Sequence, residues 1–71
     1  MIIEFLMIGN EILIGKTQDT NSNWMAKRIT KYGHHVFRIT TIGDDLDEIS
    51  STIKEIVNRN PDIVITSGGL I

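Results

Sequence analysis

The sequence contains no cysteine, which excludes a disulfide framework, a thiolate nucleophile and a thiolate metal site. A reducing compartment, the cytoplasm, is the expected setting. There is one proline and there are six glycines among 71 residues, too few for a collagenous, linker-like or low-complexity chain. Long hydrophobic runs are also missing. The apolar stretch that begins the chain is interrupted at Glu4 and falls far short of the roughly 18 residues of a membrane span. No Lys or Arg precedes it, so it does not read as a secretory signal. Basic excess is absent too: seven Lys and Arg stand against nine Asp and Glu for a net charge of −2. Basic residues never gather beyond the pair Lys27–Arg28, which argues against a phosphate-tracking nucleic-acid surface. Neither a nucleic acid nor a membrane is expected as a partner. With 41% apolar and 23% charged residues, the composition is that of a folding globular chain, and the length allows one domain at most.

The apolar run 2–8, ended by Gly9–Asn10, predicts a strand buried on both faces. Met25, Ile29 and Tyr32 recur at helical spacing with Trp24 beside them, while Lys27, Arg28 and Lys31 gather opposite, so 21–32 reads as an amphipathic helix. Asp19, Thr20 and Asn21 offer its cap, and Gly33 sits where a left-handed terminus belongs. Residues 36–42 mix β-branched positions with Arg38, Thr40 and Thr41, which suits an edge strand. Asp45 and Glu48 form a capping-box-like start, and Leu46, Ile49, Ile53, Ile56 and Val57 form the stripe of a second helix. Asn60–Pro61 stops it. Ile63–Val64–Ile65 then predicts a third strand, doubly buried, leading into Thr66–Ser67–Gly68–Gly69.

The fold class expected is α/β, a β-α-β-α-β chain with a mostly parallel sheet in strand order 2-1-3. Right-handed crossovers then place one helix on each face of the sheet, in three layers. This order creates a topological switch point between strands one and three, where open α/β sheets bind ligands beyond the strands' carboxyl ends. Gly9, Asn10 and Glu11 from one strand end and Ser67, Gly68 and Gly69 from the other are its candidate residues. Strand three would leave an apolar edge unpaired, so residues 1–71 are expected to be the first half of a larger domain, unable to form a stable functional site alone.

The connection from Gly9 to Asp19 exceeds the roughly 2–6 residues usual between strand and helix, and long loops in compact domains tend to be functional. Its apolar middle, Ile12–Leu13–Ile14, is expected to tuck under the helices. Glu11 reads either as a site carboxylate or as a solvated one, and Asp19 either as a site acid or as a helix cap. Ser67–Gly68–Gly69 is the best candidate for a phosphate cradle, since glycines let N–H groups converge on an anion; a plain turn is the alternative. It is neither a Walker A loop nor a dinucleotide fingerprint. Asp44–Asp45 could help hold a hard cation such as magnesium, or simply cap the second helix. His34–His35 lie at the opposite end of the sheet, which argues against a hydrolytic triad with Ser67. Trp24, Met25 and Tyr32 read as packing residues, with Trp24 also a candidate for lining a pocket.

Four segments, Met7–Gly15, Asp19–Thr20–Asn21, Thr41–Asp45 and Asp62–Leu70, occur in an order and spacing that resemble the amino-terminal domain of the CinA (competence/damage-inducible) family. That domain is similar to the molybdopterin-binding domain of molybdenum-cofactor biosynthesis proteins. The resemblance implies a three-layer α/β/α domain that binds a nucleotide or pterin phosphate at the switch point, commonly in a homo-oligomer. It brings Asp19, Thr20 and Asn21 into the ligand site and implies a divalent metal (magnesium, manganese or cobalt) held by Glu11, Asp19 and Asp44. Two activities follow by resemblance: metal-dependent ADP-ribose pyrophosphatase activity, or molybdopterin binding and cofactor biosynthesis without hydrolysis. The family pattern continues past Gly–Gly–Leu with Gly–Pro–Thr and paired aspartates, whereas here Ile71 follows Leu70.

Overall fold

The computed structural model describes residues 1–68. Its elements are β1 (Ile2–Ile8), α1 (Asn10–Leu13), α2 (Thr20–Lys31), β2 (His35–Ile42), α3 (Leu46–Arg59) and β3 (Ile63–Gly68). β1 pairs in parallel with both neighbours, and the sheet order is β2-β1-β3, as the apolar continuity of β1 and the mixed character of β2 predict.

Alternation along β1 divides the core into two layers. Ile3, Phe5 and Met7 point to the face covered by α2, where Met25, Ala26 and Ile29 pack. Leu6 and Ile8 point to the other face with Ile42, and Ile49 and Ile56 of α3 close over them. One helix therefore covers each face. The β1–β2 register shifts between Ile3 and Glu4, so that Val36 pairs with Ile3 but Arg38, not Phe37, pairs with Glu4. This bulge puts Val36 in the α2 layer and Ile42 in the α3 layer, an assignment that strict alternation would not allow.

Glu4, which breaks the apolar run of β1, is 0% exposed. Its carboxylate accepts hydrogen bonds from Arg59 Nε at 3.0 and 3.2 Å and from Arg59 Nη2 at 2.7 Å. Arg59, the last residue of α3, is 26% exposed. Accepting its hydrogen bonds, Glu4 holds the guanidinium above its ordinary pKa, partly opposed by desolvation. The pair thus pins the carboxyl end of α3 to the central strand.

Both long helices start and stop at chemically suitable residues. Asp19 caps α2, its side chain accepting from Ser22 N; Asp45 caps α3, accepting from Asp47 N. Gly33, with φ 86°, follows the end of α2, and Asn60 adopts the left-handed conformation after α3. Three expectations need correction. β3 is partly open rather than doubly buried, with Ile63 and Val64 exposed, because it lies at the sheet edge of the described residues. Ile12–Leu13–Ile14 does not tuck inward: α1 turns Ile14 to solvent, 75% exposed. The α3 stripe is only partly used, as Ile56 is buried while Leu46, Ile53 and Val57 are exposed.

Candidate functional site

β1 and β3 end side by side, Ile8 against Gly68, and the chain runs from β1 to β2 on one side of β1 and then crosses to β3 on the other. The crevice beyond those ends is the switch point of the sheet. Gly68 adopts φ 86°, and a Cβ placed there would strike the carbonyl oxygen of Ile8. Any side chain at 68 would therefore push the two strands apart at the floor of the crevice.

A cleft of about 240 Å³ opens at this point, bordered by Glu11, Asp19, Thr20, Asn21, Ser67 and Gly68, with Thr17 and Gln18 beside them. Of the residues predicted for the site, these six meet in one place. Gly69 lies outside the described residues. Thr17 and Gln18 were not legible in the sequence; the unusual length of their loop was the only signal. Trp24 does not line the cleft: it is 61% exposed, with the Arg28 guanidinium 5.3 Å from its ring centroid.

Gly9 and Asn10 support the cleft from outside its lining. Gly9 N donates to Ile42 O at 2.9 Å, joining the loop to the end of β2. Asn10 Oδ1 accepts from Asp44 N at 3.1 Å and fills the space where a Gly43 side chain would stand, 2.5 Å from that Cβ position. Asp44 itself is exposed and is absent from the cleft lining. Among the described residues no three His, Cys, Asp or Glu side chains form a group able to hold a metal ion. Glu11, Asp19 and Asp44 are thus not brought together as one ligand set.

The two cleft acids differ in their engagements. Asp19 Oδ1 accepts from Ser22 N at 3.1 Å and Oδ2 accepts from Ser22 Oγ at 2.6 Å. The Glu11 carboxylate has no hydrogen-bond or ion-pair partner among the described residues. Its main chain is fixed, since Glu11 O accepts from Lys16 N at 2.9 Å and Thr17 N at 3.1 Å. No Lys, Arg or His lines the cleft among the described residues. An anionic group bound here would rely on backbone N–H donors, hydroxyls and a cation arriving with it.

A second recess of about 240 Å³ lies at the other end of the sheet, between Ile2, Phe37 and Pro61. Its acid, Glu4, is consumed by Arg59, so the cleft at the switch point is the stronger candidate. Among the described residues no helix is long and apolar enough to cross a membrane.

A family model described as "Probable molybdopterin binding domain" matches residues 4–70. A protein of Metallosphaera sedula is 55% identical over 67 residues, covering 94% of this chain and 25% of its own length. A protein of Pyrococcus furiosus is 49% identical over 70 residues, covering 99% of this chain and 28% of its own. The chain therefore spans about a quarter of the length of these curated relatives. Among solved structures, the protein CinA of unknown function from Thermoplasma acidophilum superposes with a TM-score of 0.88 at 36% identity, covering 99% of this chain and 42% of that one.

Proposed function

The chain belongs to the molybdopterin-binding-like domain family, and from that premise we propose that its switch-point cleft binds a small ligand carrying a phosphate beside a flat heterocycle, a pterin or a nucleotide. The observation that carries this reading is the convergence of Glu11, Asp19, Thr20, Asn21, Ser67 and Gly68 on one cleft at the place where α/β sheets take ligands. Thr20, Asn21 and Ser67 supply the hydroxyl and amide groups suited to a polar ring edge, a ribose or a phosphate oxygen. The uncommitted carboxylate of Glu11 suits hydroxyl and N–H donors of the ligand.

A divalent cation, magnesium, manganese or cobalt, fits the residues as a companion of the phosphate rather than as a caged ion. Magnesium commonly binds through one or two carboxylates with the remaining positions filled by phosphate and water, and Glu11 offers one uncommitted carboxylate. Such an ion would polarise phosphoryl oxygens when bound. On this reading the intact protein is a metal-dependent nucleotide pyrophosphatase acting on ADP-ribose. The second reading is a molybdopterin-binding module serving cofactor biosynthesis without hydrolysis, and the family match supports it. Cytoplasmic location and homo-oligomeric assembly belong to the same proposal; exposed Ile63 and Val64 on β3 supply apolar surface for further contacts.

Turnover of ADP-ribose by the intact protein, with magnesium, manganese or cobalt and with chelator, separates the two readings. Metal-dependent release of AMP supports hydrolysis. Binding of a pterin phosphate without product supports the module.

A further inference from the structure

Two acids line the cleft, and the geometry points to a division of work between them: Asp19 is committed to holding α2, whereas Glu11, seated over Gly9, is the acid that meets the ligand. This inference rests on the proposed function. It also makes Gly9 a positioning residue that acts through Glu11.

Asp19 has each carboxylate oxygen engaged by the same residue, Ser22, through its N at 3.1 Å and its Oγ at 2.6 Å. Ser22 is itself buried, so it does not swing away to release the carboxylate. A carboxylate tied at both oxygens is oriented but poorly free to rearrange around an incoming cation or donor. Its first task is satisfying the N–H groups at the start of α2.

Glu11 stands in the reverse situation. Its backbone is anchored by Lys16 and Thr17, yet its carboxylate is unpartnered among the described residues, so the side chain is offered from a fixed base. The carboxylate lies back over Gly9: a Cβ at residue 9 would come 2.5 Å from Oε1, 2.9 Å from Cδ and 3.1 Å from Oε2 of Glu11. These are the three nearest heavy atoms to that position outside Gly9 and its chain neighbours, and all belong to one flexible side chain. Gly9 has φ 171°, extended backbone that any residue adopts. Glycine is therefore needed at 9 for space and not for conformation. An alanine there would displace the Glu11 carboxylate while leaving the main chain unstrained.

The test joins one structure with one binding series on the intact protein. A crystal structure without ligand should place the Glu11 carboxylate over Gly9, and the Gly9→Ala structure should show it swung away on an unmoved main chain. A carboxylate in the same position in both, or elsewhere in the parent, overturns the seating. Calorimetry with ADP-ribose and magnesium chloride should show Gly9→Ala and Glu11→Gln each weakening binding about 10- to 100-fold, the range for losing one charged hydrogen-bond partner. The double variant should be no weaker than Glu11→Gln alone, and both melting temperatures should stay at the parent value. Asp19→Ala should instead lower the melting temperature. A strong affinity loss in Asp19→Ala with an unchanged melting temperature, or additive effects of Gly9→Ala and Glu11→Gln, overturns the division of work. If the parent binds no ADP-ribose, the ligand role of Glu11 falls with the proposed function, while the seating is decided by the structures alone.

Discussion

Replacing Gly68 by alanine loads two separable costs onto one position at the cleft floor. The first is conformational: Gly68 has φ 86°, where a residue with a Cβ is disfavoured by about 1–2 kcal/mol. The second is steric. The new Cβ would strike Ile8 O, with Ile8 C only 3.1 Å away, and both are backbone atoms of the central strand, unable to yield as a side chain does. Overpacking of this kind typically costs about 1–3 kcal/mol, so the sum is about 2–5 kcal/mol. Gly33 provides the control, because it shares φ 86° but nothing lies within 4 Å of its Cβ position. Gly33→Ala should therefore show the first cost alone, about 1–2 kcal/mol. Urea denaturation of the intact protein and both variants measures the difference directly. Gly68→Ala should have the lower midpoint by a clear margin and should also lose ligand affinity, since the Ile8–Gly68 contact floors the cleft. Equal midpoints for the two variants would refute the reasoning.

Two further predictions concern the core. Removing Arg59 leaves the Glu4 carboxylate buried without a partner, whereas removing Glu4 leaves a guanidinium that already reaches water, so Arg59→Met should destabilise more than Glu4→Gln, and the double variant should recover much of the Arg59→Met loss; equilibrium denaturation of the three variants checks the ranking. Ile56→Ala, at a residue 1% exposed, should cost about 2–5 kcal/mol, while Val57→Ala on the exposed side of the same helix should cost under about 0.5 kcal/mol by the same measurement.

Much of the architecture was legible because it rests on local periodicity. The apolar run of β1, broken only at Glu4, and the several polar positions of β2 were enough to place one at the centre and the other at the edge. Asp19 and Asp45 were legible as caps because capping is a contact between near neighbours. The bulge at Phe37 was not, since it is set by the need to keep Val36 and Ile42 in different layers, which only the packed sheet imposes. Nor was the Glu4–Arg59 pair, whose members are 55 residues apart. In the site, the switch point followed from strand order, and of its candidates Glu11, Ser67 and Gly68 line one cleft. Asp44 was drawn in by proximity to a strand end, but the hydrogen bond from its N to Asn10 leaves its exposed side chain off the cleft. Gly9 and Asn10 were singled out with Glu11 as switch-point residues but stand outside the cleft lining; the close contact of Gly9 with Glu11 depends on a side-chain path that no spacing encodes.

The central claim is that the switch-point cleft takes a phosphate-bearing heterocycle. It is tested most directly by titrating the intact protein with ADP-ribose, AMP and a pterin phosphate, each with and without magnesium, alongside Gly68→Ala under conditions where that variant remains folded. Saturable one-site binding of at least one of these ligands by the parent, lost or strongly weakened in Gly68→Ala, is the predicted result. Binding that is indifferent to Gly68→Ala, or no binding of any of the three by the parent, would contradict the account.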